Sequence, residues 1–110
     1  MAKKGTDLLK GTLDLLILRT LELEPRHGVS IADRIAQLTR GTFQVKPGSL
    51  FPALHRLDQE AAIKGEWTTT AEGHRAKVYR LTPSGLRQLA IEKRQWSKIT
   101  IAMNQVLESE

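Results

Sequence analysis

The stretch Lys46–Leu57, KPGSLFPALHRL, decides how the rest of the chain is read. Leu50, Leu54 and Leu57 fall at helical spacing and mark one apolar face. Pro47 stands ahead of that face and Pro52 stands among its residues. Proline has no N–H to give and its ring crowds the preceding turn, so a helix accepts it best at its start. With Ser49 as cap, the sequence predicts a helix over roughly 49–61, and Pro52 falls in its first turn without losing a hydrogen bond. Pro47-Gly48 is then the turn that delivers the chain. The leucines face inward, while Phe51, His55, Arg56 and Gln59 face outward.

Upstream, Thr12 caps a helix through LDLLILRTLEL, with Asp14 in its first turn, where the helix dipole favours an acid. Its apolar residues cover more than one face, so two sides need burial. Pro25 and Gly28 end it. Ser30 and Asp33 form a capping-box-like start for SIADRIAQLTRG, whose Ile31, Ile35 and Leu38 make one stripe before Gly41. In TFQVK, the alternation of Phe43 and Val45 suggests a stub of strand.

Downstream the period changes from 3.6 to 2. IKGEWTTT and AKVYRLT flank the turn-like AEGHR and read as a β-hairpin with Trp67, Tyr79 and Leu81 facing the core. Thr82-Pro83 then opens a last, long helix, cap followed by proline. Its apolar residues recur close to every 3.5 positions, but Lys93 and Thr100 break the seam of a regular coiled coil. The expected fold is mainly α with a small β-hairpin (α+β). Residues 1–82 form a winged helix-turn-helix with an N-terminal segment, and residues 83–110 an added long C-terminal helix.

The chain has 110 residues, a net charge of +5 and no cysteine, which excludes disulfides, thiol nucleophiles and thiolate metal sites. His27, His55 and His74 are scattered, so no metal or cofactor site is expected. No serine elbow or glycine-rich phosphate loop is present, and the chain reads as a non-enzyme. No apolar run reaches the roughly 18–20 residues of a membrane span. Asp7, Lys10, Asp14 and Arg19 interrupt the leucine-rich start, so it reads as mature protein and not a signal peptide.

A basic surface attracts polyanions, and where the charge lies decides which. Lys46 and Ser49 stand at the start of the third helix and His55 and Arg56 on its outer face. His74, Arg75 and Lys77 tip the hairpin. A helix start binds phosphate, outward side chains reach base edges, and a basic wing touches the adjacent backbone or minor groove. Double-stranded DNA is the expected partner. A solvated helix face or a plain turn would explain each feature singly; their order favours DNA. The rivals are a winged helix that docks proteins through its last helix, and a membrane-surface binder using Lys3, Lys4 and Lys10.

KGTLDLLILRTL, HGVSIADRI, GSLFPALHRLDQE and AKVYRLTPSG together resemble the signature blocks of the PadR family of bacterial transcriptional regulators. The resemblance runs from about Leu9 into the last helix and is closest to the short subgroup with one terminal helix. It implies a homodimeric winged-helix repressor that binds an operator, with dimer contacts from the N-terminal segment and the last helix; the absence of cysteine fits a cytoplasmic location. On that reading Leu9, Leu86, Leu89, Trp96, Ile99, Met103 and Leu107 serve the dimer or the core. Some members admit flat aromatic effectors at this interface, which makes Trp96 a candidate contact. Several positions depart from the pattern: Phe51 where tyrosine is usual, Val29, Val78, and Ala61-Ala62 in place of a glycine. Phe51 then grips DNA without a hydroxyl, by stacking or packing.

Overall fold

The leucine run belongs to a longer helix than its capping signals suggest. In a computed structural model describing residues 2–110, with side chains from residue 11 onward, α1 spans Ala2–Leu23. Thr12 is therefore inside the helix and is not its cap. Asp14 is not a first-turn acid but a buried residue, 7% exposed. The side chain of Leu9 lies outside the described residues.

After Pro25 the chain forms a two-residue strand, β1 (Arg26–His27), and then α2 (Gly28–Leu38) and α3 (Pro47–Gln59). The hairpin is β2 (Ile63–Thr69) and β3 (Arg75–Leu81), and α4 covers Pro83–Leu107. The sheet order is β1-β3-β2, all antiparallel, with Arg26 opposite Tyr79 and Trp67 opposite Lys77. The expected strand stub at 42–46 is instead irregular; the short strand is Arg26–His27, because β3 offers its free edge there.

Two expected caps are also corrected. His27 caps α2 without a side-chain bond, and the Ser30 hydroxyl accepts from Arg26 at 2.9 Å. Lys46 caps α3, again without a side-chain bond, so Ser49 is its third residue. Pro52 then lies inside the helix, past the first turn, and has no N–H to offer the Gly48 carbonyl. Gly48 and Pro52 are both exposed, so this break in the ladder lies on the surface of the helix.

Ile17, Leu18 and Leu21 of α1 meet Ile31 and Ile35 of α2 and Leu50, Leu54 and Leu57 of α3. Ile63, Tyr79 and Leu89 close the core from the sheet and α4. Leu89 is 1% exposed within the protomer and belongs to this core.

Thr82 fastens α4 to this body. Its hydroxyl accepts from the Gly85 amide at 3.0 Å and lies within bonding distance of the Ala61 and Ala62 carbonyls. Gly85 is required there, because a Cβ would come within 1.9 Å of the Ala62 carbonyl oxygen. Beyond residue 92 every side chain of α4 is exposed. The molecule accordingly measures 60 × 28 × 25 Å.

Candidate nucleic-acid interface

The spacing of Leu50, Ala53, Leu54 and Leu57 fixes which side of α3 faces solvent. Lys46, Ser49, Phe51 and His55 are all exposed on that helix, as the sequence suggests. The helix start is less rich in free amides than expected. Pro47 has none, and the Ser49 amide donates to the Lys46 carbonyl at 3.0 Å. Lys46 and the Ser49 hydroxyl are thus the main polar groups at this end.

Phe51 lies against the start of α2. A Cβ added at Gly28 would stand 2.8 Å from its ring, so Gly28 is what lets the ring seat there. The ring ties α3 to α2 although the residue stays 44% exposed.

Arg56 does not point freely outward. Its guanidinium donates to Asp14 of α1 at 2.6 Å and stands 3.6 Å from Glu60. The bond to Asp14 raises the arginine pKa, holding it firmly charged. The expectation of an outward Arg56 is corrected: a carboxylate buried in a leucine-rich helix draws the nearest cation inward. An acid among leucines was the signal in the sequence that such a partner exists.

In the hairpin, Thr70 pins the turn. Its amide donates to the His74 carbonyl at 2.7 Å and its hydroxyl accepts from the His74 amide at 3.1 Å. Gly73 supplies the positive φ of +84°. His74 and Arg75 are exposed. Lys77 is half-buried opposite Trp67 in the hairpin, 3.9 Å from Asp58 of α3 and 5.7 Å from the ring centres of Trp67 and Tyr79. Burial and the Asp58 charge raise the Tyr79 pKa, so its hydroxyl stays neutral.

Trp67 is not in the core; it is 59% exposed. Its pleat is as expected, on the same face as Ile63, Gly65 and the opposed Tyr79 and Leu81. The helical layer ends before it, so the face that is covered at Ile63 is open at Trp67. Arg75 stands over its ring at 4.7 Å. A period-2 pattern gives the face of a strand residue but not how far the covering layer extends.

Two clefts adjoin α1. One of about 240 Å³ is walled by Leu13, Leu16, Phe43 and Val45, with Lys46 and Ser49 at its edge. The other, about 160 Å³, lies between α1 and α4 and is lined by Leu15, Glu92, Trp96 and Ile99 among others. Among the described residues no cluster of His, Asp or Glu could hold a metal ion, and no helix is long and apolar enough to cross a membrane.

A three-helix body, a short edge strand and a projecting hairpin beside an exposed helix face define a winged helix-turn-helix protein. The model of the PadR-like family of transcriptional regulators matches residues 17–91. The chain belongs to that family. It is 36% identical over 58 residues, 53% of each chain, to a transcriptional regulator of Mycobacterium tuberculosis. Among solved structures, a PadR family transcription regulator from Clostridium difficile is 34% identical with a TM-score of 0.75, covering 86% of this chain and 97% of that one. A PadR-like transcriptional regulator from Bacillus cereus is 29% identical with a TM-score of 0.79, covering 94% and 99%.

Proposed function

We propose that this chain is a cytoplasmic, sequence-reading DNA-binding repressor that works as a homodimer. Residues 1–82 bind DNA and residues 83–110 pair with a second copy. The observation that carries the reading is the joint exposure of Lys46, Ser49, Phe51 and His55 on α3 with His74 and Arg75 on the wing. In such a protein α3 enters the major groove, where His55 and Phe51 meet base edges and Lys46 and Ser49 meet phosphate. Arg75 and His74 reach the flanking minor groove or backbone. Arg56 and Lys77 contribute charge from behind this surface, held by Asp14 and Asp58.

The exposed half of α4 supports pairing. Trp96, Ile99, Met103 and Leu107 stay exposed among the described residues, and Leu86 is open nearer its start. A second copy covering that face sets the two α3 helices on half-sites about one helical turn apart. Trp96, in the cleft beside α1, is where a flat aromatic effector would lodge.

The test is binding of the purified protein to a duplex spanning the region upstream of its own coding sequence, across a salt series, with light scattering for stoichiometry. Two protomers per site are expected. With about six phosphate contacts, affinity should fall on the order of 10³-fold between roughly 50 and 200 mM salt. Equal binding to unrelated duplexes would leave a non-specific DNA binder. No binding at low salt would favour a protein-docking role for α4.

A further inference from the structure

We propose that Trp67 is a positioning residue of the wing, whose exposed indole holds the Arg75 guanidinium ready to enter the DNA minor groove. The proposal rests on the DNA-binding reading above and adds a second reading element beside α3. Trp67 fills no core position, yet the hairpin keeps a large indole in water with two cations directed at its ring, Arg75 at 4.7 Å and Lys77 at 5.7 Å. Both distances are within the reach of a cation–π contact, about 6 Å. Asp58 draws Lys77 toward the wing base, whereas Arg75 makes no ion pair among the described residues. Its planar fork of donors therefore stays available while the ring restricts its rotamers.

That arrangement suits one target better than another. A phosphate contact needs only a flexible cation and gains little from an aromatic backing. A narrow minor groove favours a weakly hydrated, planar guanidinium already held in one geometry. The pinned turn at Thr70 and His74 keeps the pair at a fixed place on the wing. The wing should therefore respond to what lines the minor groove floor. The 2-amino group of guanine is the one donor there, and it narrows the room for an arginine.

The probes are two duplexes of equal length, alternating dI–dC and alternating dG–dC. They share their major-groove edges and differ by that amino group. The expected result is tighter binding of the full-length protein to dI–dC, by about twofold to fivefold, the size of one exposed cation–π contact. Arg75→Ala and Trp67→Ala should both remove the preference, and Trp67→Phe should restore part of it. The salt dependence should weaken by about one phosphate-equivalent in Arg75→Ala but not in Trp67→Ala. Circular dichroism and binding to dG–dC report whether each variant is folded. Equal binding of the wild type to both duplexes, or a full preference surviving in Trp67→Ala, overturns the proposal and leaves DNA binding itself intact. Failure to bind either duplex at low salt overturns the DNA-binding reading and this proposal with it.

Discussion

A carboxylate among buried leucines must find a partner, and Asp14 finds one across the packing of α1 on α3. Its side chain is 10% exposed and that of Arg56 28%, so the 2.6 Å bond is largely shielded from water. Such a pair does little to favour folding outright, but losing one member leaves a buried charge alone. Arg56→Ala should thus lower stability by about 1–3 kcal/mol, the cost of an unsatisfied buried polar group. The double variant Asp14→Leu with Arg56→Met should recover much of it. In DNA binding, Arg56→Ala should weaken all sequences alike and leave the preference for an operator over competitor DNA in place. Urea unfolding and competition binding check the two halves. A selective loss of operator preference at unchanged stability would return Arg56 to the reading surface.

At the scale of elements, chain reversals decide how the helices meet. The end of α3 is closed by two bonds, Ala62 amide to Leu57 carbonyl and Ala61 amide to Asp58 carbonyl, both 3.0 Å. This double bond pattern requires a left-handed residue just past the helix, and Ala61 takes it with φ of +62°. Glycine adopts that backbone without strain, so Ala61→Gly should stabilise the protein by about 0.5–1 kcal/mol, read as a higher unfolding midpoint in urea. An unchanged or lower midpoint would mean that the alanine methyl is worth more than the strain. The hairpin, the Thr82-Pro83 helix start and the inward leucines of α3 were all legible, because each depends on a local pattern. The start of α3 was misplaced because Lys46 caps it through backbone conformation alone, which leaves no side-chain signal. The edge strand at Arg26–His27 was missed because its existence depends on β3, distant in sequence. In the candidate site, Lys46, Ser49, Phe51, His55, His74 and Arg75 are exposed as expected. Arg56, Lys77 and Trp67 differ in exposure from what a local pattern implies, since acids elsewhere in the chain hold the first two and the helical layer ends before the third.

For the whole molecule, one carboxyl records how α1, α3 and α4 come together. Glu92 stands on α4 facing Asp14 of α1 and Arg56 and Glu60 of α3, with Gln88 donating to it at 3.3 Å along its own helix. Its other oxygen, Oε2, is buried without a partner among the described residues. Burial raises its pKa first of all; the Gln88 bond lowers it, Asp14 and Glu60 raise it, and Arg56 lowers it. A raised carboxyl pKa means the folded state binds this proton more tightly than the unfolded chain does. The contribution is present in full below the unfolded value near 4.5 and is lost as pH rises through the folded one, so at neutral pH the ionised group opposes folding. Glu92→Gln removes the charge and keeps the shape. It should raise Tm at pH 7 relative to wild type, with the difference shrinking toward pH 4, where the wild-type carboxyl is already protonated. Because the same residue lines the cleft with Trp96, the scan is best run at a concentration where light scattering fixes the oligomeric state. Parallel Tm–pH curves for the two proteins would show that the Glu92 carboxyl is solvated and that the junction of the three helices is open to water.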